Sequence, residues 1–453
     1  MCKTNETLSL YAELWQALYA DAPLPEVIFT GHGALPSRYA VSELAAASFA
    51  LVAGALQRLV AARATPVIDS RLAGMWFQLS LRPLNRPAPA LWDPFAGDYA
   101  TQEGWIRLHT NAPHHREAMA SVLGRPANRA ALAATVKGWQ SVALEEAVVN
   151  AGGCAAAMRS ESEWRRHAQG EAVLREPLFM QQFTDPCSDP HWPLPPARPL
   201  LGIRILDLTR IIAGPVATRL LAGLGAQVLR IDPPDWAEPT LEEEITPGKR
   251  CARLDVKSEP GKARLRELLA QADVVVHGYR ADALTALGFD EETRSALSQG
   301  LVDVSLNAWG WSGPWRNRRG FDSLVQMACG IAHAGMTWRG HDKPTPLPVQ
   351  ALDHATGYMM AAAVLKGLHH RLHARQGYRA RLSLARTAAL LMAYPQQPEP
   401  EFAPRSRHDE LPFYEWSAFG LGARLKPPMW LPGTPLVWAR TPVSLGSDEP
   451  RWE

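Results

Sequence analysis

Asp353 is the residue whose type and position are best suited to covalent chemistry. It directly precedes His-Ala-Thr at the start of a long Ala/Leu/Met-rich segment, residues 354–376, which has the composition of a helix. We expect it to be the N-cap, because an aspartate there can accept hydrogen bonds from the first backbone N–H groups. Those groups and the positive end of the helix dipole favour an ionised carboxylate. Such a carboxylate can cap the helix or act as a nucleophile, and the two roles are compatible.

The segments before Asp353 predict a doubly wound α/β domain. Short apolar strands are expected at 203–208, 227–231, 273–277 and 301–306, with helices at 211–225 and 259–271 between them. Strands that alternate with helices indicate a parallel sheet with crossover helices. The turn after the first strand, TRIIAGP, lacks the G-x-G-x-x-G pattern that dinucleotide binding requires, so no NAD is expected.

Composition sets limits on the class of protein. The 453 residues suit two or three domains, and 47% hydrophobic with 20% charged residues is typical of a globular protein. A net charge of +2 gives no overall attraction for nucleic acid or for an acidic membrane. Five scattered cysteines, a polar N-terminal stretch and the absence of a long apolar window favour a cytoplasmic protein without a membrane span.

Proline-rich stretches suggest where the domains begin and end. Residues 185–199 and 395–404 are dense in proline, as stiff connectors are. Residues 92–180 alternate strand and helix patterns and read as a smaller α/β unit. The predicted division begins with a helical N-terminal part (1–90), a small α/β domain (91–184) and a linker (185–199). A large domain (200–395) follows, and then a C-terminal tail (396–453) that returns to the large domain.

A possible internal duplication links the first and last parts of the chain. Residues 41–76 align without gaps on 354–389, and the pairs Gly54/Gly367, Arg58/Arg371 and Ser70/Ser383 are each 313 positions apart. In this register Ala40 takes the place of Asp353. The N-terminal copy therefore has no nucleophile.

Three stretches after residue 200 resemble class III CoA-transferases of the CaiB/BaiF type. The family's opening is similar to LLGIRILDLTRIIAGPVATRLLAGLGAQVLRIDPP. Its Gly-Lys-Arg turn, L-D-x-K-S motif and polar-aromatic-Arg loop are similar to PGKRCARLDVKSEPGKARLRELLAQADVVVHGYRADALTALGFD. Its G-x-x-G-P turn and Gly-aromatic-acid segment are similar to NAWGWSGPWRNRRGFDSLVQMACGIAHAGM. The order of domains is unusual, because the unit that resembles the family's small domain precedes the large one. A rearranged or fused-duplicate member would account for this order.

The resemblance implies a Rossmann-like CoA-binding large domain and a smaller α/β domain. It also implies that Asp353 attacks an acyl-CoA, passing through a mixed anhydride and an aspartyl-CoA thioester, so that CoA moves to a carboxylic acid acceptor. Oxyanion donors are expected around Ala213 and Gly214. The family forms interlinked dimers, so a homodimer or a pseudo-dimer within one chain is expected. The donor and the acceptor acid are not specified by the sequence.

The resemblance assigns further residues to the ligand. Lys249, Arg250 and Arg280 are candidate phosphate partners, although each could equally be a solvated surface charge. Tyr279 takes the family's aromatic place against the adenine. Ile212 and Ala213 match the substrate-end loop, where a polar side chain of some members is replaced by Ile212. Asp322 either orients the reacting centre or caps a helix.

Two other functions remain open. Acyl-CoA racemases of the family carry a His immediately before the acid at Asp322; Phe321 stands there, so one of the two bases that racemisation needs is missing. The second alternative is a non-catalytic CoA-binding partner subunit, suggested by the rearranged order and by Ala40. No metal site is predicted, because His369 and His373 share a helix face without a suitable carboxylate nearby.

Overall fold

The N-terminal part of the chain is built around one buried helix. The computed structural model describes residues 3–20, 22–188, 192–280, 282–397 and 400–453. The first elements are α1 (Lys3–Tyr19), β1 (Ile28–Thr30), α2 (Val41–Leu59), β2 (Val67–Asp69), α3 (Ser70–Trp76) and β3 (Leu81–Pro83). Helix α2 is rich in alanine and leucine and is buried along almost its whole length. It therefore acts as a core helix.

A small α/β unit follows. Its elements are β4 (Gly97–Ala100), β5 (Trp105–Leu108), α4 (Pro113–Leu123), α5 (Arg129–Val136), α6 (Ser141–Asn150), β6 (Ala155–Ala157), α7 (Glu161–Arg166) and α8 (Ala168–Arg175). Strands β4, β5 and β6 form an antiparallel sheet, and helices α4 to α6 share a separate apolar core with it. His109, Asn111 and Ala112, which follow β5, lie beside the candidate site.

The large domain contains a seven-stranded sheet in the order β10-β9-β8-β11-β12-β13-β7. Six strands are parallel and β7 is an antiparallel edge. This mixed α/β architecture confirms the predicted fold class. Its elements are β7 (Met180–Pro186), β8 (Arg204–Leu208), α9 (Ala213–Gly223), β9 (Gln227–Asp232), α10 (Glu242–Ile245), β10 (Lys249–Arg253), α11 (Glu259–Ala270), β11 (Val274–His277), α12 (Ala283–Ala286), α13 (Glu291–Leu297), β12 (Val302–Asn307), α14 (Asp322–Ala328), α15 (Ile331–Arg339), α16 (Ala351–Ala374), β13 (Gln376–Ser383) and α17 (Leu384–Met392).

The strand order reverses between β8 and β11. From β8 the chain adds β9 and β10 on one side, and then β11, β12 and β13 on the other. In open α/β sheets, ligands bind in the crevice outside the carboxyl ends of the strands at this switch point. The residues that follow the two strands, 209–212 and 278–280, are therefore in the expected place for a ligand.

The C-terminal segment contacts two parts of the molecule. It contains a 3-10 turn (Arg407–Asp409) and the strands β14 (Glu415–Ser417), β15 (Gly420–Arg424) and β16 (Met429–Trp430). Strand β15 pairs with β3, and β16 pairs with β2. Further on, the backbone N–H of Asp448 donates to the Cys251 carbonyl in β10 at 2.9 Å. The tail thus joins the N-terminal part to the edge of the large sheet.

The two segments aligned in the sequence have the same order of elements. Strand β2 lies between β1, which is parallel to it, and β16, which is antiparallel. Strand β13 has the same neighbours, the parallel β12 and the antiparallel β7. Helix α2 precedes β2 as α16 precedes β13, and the two helices pack together, with the rings of Phe49 and Tyr358 4.1 Å apart. This arrangement supports the duplication.

Two local predictions about the large domain are wrong. The boundary at residue 184 falls inside β7, which pairs with β13, so the strand belongs to the large sheet. The helical segment expected at 354–376 ends at Ala374, and a left-handed residue follows it. The left-handed residue is Arg375, with φ of 54°, and Gly377 lies in β13, where a Cβ atom would approach the Thr184 hydroxyl to 2.3 Å. Residues 189–191, in the predicted linker, lie outside the described residues.

Candidate active site

Asp353 occupies the third position of α16 and does not cap it. The helix begins at Ala351, its N-cap is Gln350, and the Gln350 side chain makes no capping hydrogen bond. Among the described residues, no donor contacts the Asp353 carboxylate. The side chain is 7% exposed and contributes to the wall of an internal cavity. The prediction of an N-cap is therefore wrong, while the position at the start of the helix is confirmed.

Asp322 supplies the cap instead. It is the first residue of α14, and its Oδ2 atom accepts hydrogen bonds from the backbone N–H of Leu352 at 2.8 Å and of Asp353 at 3.0 Å. Its other oxygen accepts from the Gln326 amide. The two acids therefore lie side by side, with one carboxylate bound to the backbone of the other. Of the two roles left open for Asp322, the structure shows a cap of α16.

The proximity of the two buried carboxyls changes their titration. Burial raises the pKa of Asp322 to about 6, although its hydrogen bonds to backbone N–H groups oppose this effect. Burial, and then the charge of Asp322, raise the pKa of Asp353 well above its usual range. The expectation that the helix start keeps Asp353 ionised is wrong, because the stabilising N–H groups bind Asp322. Asp353 therefore keeps its proton to a higher pH than an ordinary aspartic acid.

This proton has a consequence for stability. A carboxyl whose pKa is raised on folding favours the folded state below its unfolded pKa of 3.8, and this contribution is lost as the pH rises through the folded value. We therefore expect Asp353→Asn to be more stable than the parent at about pH 8 and equally stable near about pH 4. Urea denaturation at the two pH values measures the difference. Equal stabilities at both pH values would contradict the assigned titration.

The cavity beside Asp353 has a volume of about 720 Å³ and is formed by all three parts of the chain. Phe77, Gln78 and Leu79 come from the N-terminal part, and Trp92, Asp93 and His109 from residues 84–111. The large domain supplies Ile211, Ile212, Val216, Trp236, Glu238, Leu241, Glu244, Ile245, Phe321, Asp322, Val349, Asp353 and His354, among others. The site is therefore assembled from residues far apart in the sequence.

A strained loop forms one wall of the cavity. Ile211 has φ of 69°, a left-handed conformation that β-branched residues rarely adopt. Its backbone N–H donates to Glu238 Oε1 at 2.7 Å, and Glu238 in turn accepts from Trp236 and Arg230. Strain of this kind persists where surrounding contacts hold it, and it is commonest at binding sites. The loop is thus held in place before any ligand binds.

The two predicted residues of this loop differ in position. Ile212 is the N-cap residue of α9 and faces the cavity. Ala213 is buried behind it, and a Cβ atom at Gly357 of α16 would come within 2.3 Å of the Ala213 carbonyl oxygen. The absence of a side chain at Gly357 therefore lets α9 and α16 approach closely. Their N-termini converge near Asp353.

Lys249 does not have the geometry of a phosphate partner. It lies in strand β10 and not in a turn, and its side chain is completely buried. Its Nζ atom donates to Asp207 Oδ2 at 2.9 Å, the Pro215 carbonyl at 2.9 Å and Thr218 Oγ1 at 2.7 Å. All three donor protons are thus used inside the protein. The prediction for Lys249 is wrong for a physical reason: the alternation of a buried strand points it into the core.

Arg250 and Arg280 are also separate from the Asp353 cavity. Arg250 is bound to the C-terminal segment, where its Nη1 donates to the Arg451 carbonyl at 2.9 Å and its Nε lies 3.3 Å from Asp448. Arg280 is exposed and lines a second, open cavity of about 1210 Å³. The structure therefore does not bring the three predicted phosphate partners together.

Arg210 is a residue that the sequence analysis missed. Its guanidinium carbon lies 5.4 Å from the ring centre of Tyr279 and 5.4 Å from that of Trp236, and Trp236 is part of the cavity wall. Its Nε atom is buried without a hydrogen-bond partner among the described residues. Arg210 and Tyr279 follow β8 and β11, on either side of the switch point. That position after the strand was the signal that could have identified Arg210.

Two neutral histidines line the cavity. The ring of His109 stacks on Phe321 at 3.9 Å, and its Nδ1 atom has no partner in the described part of the chain. Burial, and next the His115 ring, lower the pKa of His109 to about 3. His354 stacks on Phe77 at 5.2 Å, and burial lowers the pKa of His354 to about 3. Neither histidine was identified from the sequence, because no motif surrounds them.

Comparison with known proteins decides the family. The family model described as CoA-transferase family III matches residues 200–415, which include Asp353, Asp322 and the loop at Ile211. Over these residues, slightly less than half of the chain, the sequence matches CoA-transferase family III. The relation confirms the resemblance drawn from the motifs.

The chain is similar to acetyl-coenzyme A transferase nodX of Hypoxylon pulicicidum, with 35% identity over 47% of this chain and 37% of the relative. The probable fatty acyl-CoA transferase Rv3272 of Mycobacterium tuberculosis is 33% identical over 39% of this chain and 48% of its own length. Human succinyl-CoA:glutarate CoA-transferase is 30% identical over 40% of this chain and 44% of its own length. A crystal structure of Rv3272 covers 44% of this chain and 58% of its own, with 31% identity and a TM-score of 0.40. The chain spans about half or less of the length of these curated relatives.

The described residues contain neither a candidate membrane span nor a candidate metal centre. In the ranges that the structure describes, no helix has both the length and the apolar character needed to cross a membrane. Among the same residues, no cluster of three or more His, Cys, Asp or Glu side chains is arranged to hold a metal ion.

Proposed function

We propose that the protein is an acyl-CoA:carboxylate CoA-transferase with Asp353 as its covalent nucleophile. The observation that carries the proposal is the carboxyl of Asp353, which faces the cavity without a hydrogen-bond partner among the described residues while Asp322 fixes the backbone beneath it. The match to CoA-transferase family III and the names of the relatives support transfer of CoA. A carboxylate nucleophile divides the exchange into easier steps.

The first half of the reaction transfers CoA to the protein. The Asp353 carboxylate attacks the acyl-CoA carbonyl, the C–S bond breaks, and a mixed anhydride and CoA thiolate result. The thiolate then attacks the Asp353 carbonyl of the anhydride. This step forms an aspartyl-CoA thioester and releases the donor acid as a carboxylate.

The second half returns CoA to the acceptor. The acceptor carboxylate attacks the aspartyl thioester, which again gives a mixed anhydride and CoA thiolate. Attack of the thiolate on the acceptor's acyl carbon forms the new CoA ester and frees the Asp353 carboxylate. Each tetrahedral intermediate carries an oxyanion, and the N-terminus of α9, which packs against α16 at Gly357, is the proposed source of its stabilisation.

The nucleophile must lose its proton before it attacks. Because burial and Asp322 raise the pKa of Asp353, the reactive form is scarce at low pH. We expect kcat/KM for exchange to rise as the pH increases toward the raised pKa of Asp353, with a slope that corresponds to one proton. Measuring initial rates in overlapping buffers tests this. A profile that is flat, or that falls over this range, would contradict a raised pKa of Asp353 in the free enzyme.

Arg210 is proposed to bind the phosphates of CoA, with Tyr279 and Trp236 beside the adenine and the pantetheine arm. Its place between the switch-point residues and the cavity supports this. Its Nε atom lies 3.7 Å from Asp232 Oδ1 but makes no hydrogen bond with the described residues. Arg210→Met is expected to raise KM for the CoA ester about 10–100-fold with little change in kcat, because a charge-assisted hydrogen bond is lost. Arg280→Met is the matched control and should change KM much less. Equal effects of the two substitutions would contradict this assignment.

An exchange experiment tests the proposed function. The protein is mixed with a CoA ester and an isotopically labelled carboxylic acid, and label entering the CoA ester pool is followed by mass spectrometry. A transferase incorporates label at a rate proportional to the protein concentration. Absence of exchange across aliphatic, aromatic and dicarboxylic acids would refute the proposal.

Proton abstraction next to the thioester is a second candidate function, and one observation favours it. Phe321 replaces the base expected of a racemase, but His109 stacks on Phe321 and reaches the same cavity in neutral form. A neutral imidazole and a carboxylate on two walls could serve as the two bases. Deuterium entering the α-carbon of an acyl-CoA in heavy water, and its loss in His109→Phe, would favour racemisation over transfer.

The remaining predictions concern organisation. We propose that residues 1–90 are a partial copy of the large domain, so that the chain forms an internal pseudo-dimer, and that the protein works in the cytoplasm. The packing of α2 on α16 and the matching strand neighbours support the first of these. A non-catalytic partner subunit is disfavoured, because Asp353 is retained and faces a cavity.

A further inference from the structure

The cavity beside Asp353 is unusual in its charges. Most of its wall is apolar, and the charged side chains that line it within the described residues are all acidic: Asp93, Glu238, Glu244, Asp322 and Asp353. No lysine or arginine of the described chain is part of this wall. A carboxylate buried here would face an apolar surface and other acids.

Four arginines that lie behind the wall are neutralised by ion pairs. Arg116 pairs with Asp93 at 2.9 Å, and Arg230 with Glu238 at 2.9 Å. Arg219 pairs with Glu244. Each of these three acids therefore offsets its own arginine, and none of these arginines is free to bind a substrate anion. Arg107, behind Asp322, forms an ion pair with Asp98 at 2.8 Å.

The cavity histidines do not supply a positive charge either. His109 and His354 are buried, and burial lowers the pKa of each ring to about 3. Both rings stack on phenylalanine side chains. A substrate therefore meets neutral rings, a few amides and hydroxyls, and aliphatic side chains.

We propose that the acyl groups and acceptor acids of this site are apolar monocarboxylic acids, aliphatic or aromatic, and not dicarboxylic acids. This inference rests on the proposed transferase function and names its substrate class. The reacting carboxylate becomes part of the mixed anhydride with Asp353. A second carboxylate on the same acid would be buried without a cation. Burying an unpaired charge is strongly unfavourable. With about 720 Å³, the cavity also has room for a substituent much larger than an acetyl group.

The inference separates this chain from some of its relatives. Human succinyl-CoA:glutarate CoA-transferase is named for two dicarboxylates, and the probable fatty acyl-CoA transferase Rv3272 for an apolar acid. Similarity of sequence alone does not choose between the two. The absence of a lysine or arginine from the described wall favours the apolar acids.

A substrate panel tests the proposal. Exchange is measured with hexanoyl-CoA and phenylacetyl-CoA on one side and succinyl-CoA and glutaryl-CoA on the other, each with its matching labelled acid. We expect kcat/KM to be at least about 100-fold higher for the first pair. Values for the dicarboxylic esters within about tenfold of the apolar ones, or above them, would overturn the proposal.

Binding provides a readout that does not depend on catalysis. Calorimetry with Asp353→Asn, which cannot form a covalent adduct through a carboxylate, should give a Kd for phenylacetyl-CoA at least about tenfold lower than for succinyl-CoA. If no ester is exchanged but this preference holds, the transferase function fails and the ligand class stands. Equal binding, or tighter binding of succinyl-CoA, refutes the ligand class whatever the reaction.

A positive charge introduced on the cavity wall tests whether the lack of a cation causes the preference for apolar acids. Gln78 is exposed at the edge of the cavity, and its side chain makes no hydrogen bond with the described residues. Gln78→Arg should improve kcat/KM for succinyl-CoA about tenfold relative to hexanoyl-CoA, since an arginine can pair with the distal carboxylate. Gln78→Leu is the control, which should leave the ratio unchanged or lower it. An equal change of the ratio in both variants would contradict the charge argument.

Discussion

Replacing Asp353 by asparagine is expected to lower the rate of CoA exchange by at least about a thousandfold. Asparagine has nearly the same shape, but its amide cannot attack a thioester and form an anhydride. The backbone bonds from Leu352 and Asp353 to Asp322 are unaffected, because they involve no side-chain atom of Asp353. Label exchange between a CoA ester and its acid, measured for both proteins, gives the ratio of rates.

The control for this experiment is Asp353→Glu, which keeps the carboxylate but moves it. We expect it to retain a small measurable rate, because the chemistry is preserved while the geometry is impaired. Binding of the CoA ester should survive in Asp353→Asn, which distinguishes a chemical from a structural defect. Exchange at the parental rate in Asp353→Asn would refute Asp353 as the nucleophile.

Replacing Lys249 by methionine is expected to destabilise the folded protein by about 3–5 kcal/mol. The Asp207 carboxylate would then lie buried without the cation that now contacts it at 2.9 Å. Guanidinium denaturation followed by circular dichroism measures this loss. In Lys249→Met/Asp207→Leu both charges are gone, so much of the stability should return.

This substitution also decides between the two roles considered for Lys249. A core residue affects stability and, in the protein that remains folded, leaves KM for the CoA ester almost unchanged. A phosphate partner would raise KM strongly and leave the free energy of unfolding unaltered. The second result would restore the role implied by the family resemblance and contradict the burial described above.

The fold was largely predictable, because local sequence determines its elements. The predicted strands at 203–208, 227–231, 273–277 and 301–306 correspond to β8, β9, β11 and β12 to within one or two residues. Apolar β-branched runs between helical patterns carry this information without reference to distant contacts. Strand β7 was missed, since its polar pattern and flanking prolines resemble a linker until its pairing with β13 is known.

The site was predictable only where a motif surrounds the residue. Asp353, Asp322 and Ile212 do line one cavity. The raised pKa of Asp353 could not be inferred, because it depends on the burial of its carboxyl and then on the charge of Asp322, 31 positions away. His109 and Phe77 enter the wall through tertiary packing of other parts of the chain. Lys249 was misjudged because a motif names a residue but not the direction in which its strand points it.

Intact-mass and peptide mass spectrometry of the protein mixed with a CoA ester tests the covalent role of Asp353 most directly. After brief mixing with hexanoyl-CoA without acceptor acid, hydroxylamine should trap the activated carboxyl as a hydroxamate. We predict that the modified peptide contains Asp353, and that Asp353→Asn gives none. A fully active protein in which Asp353 stays unmodified, or a hydroxamate found only at another carboxyl, would contradict the account.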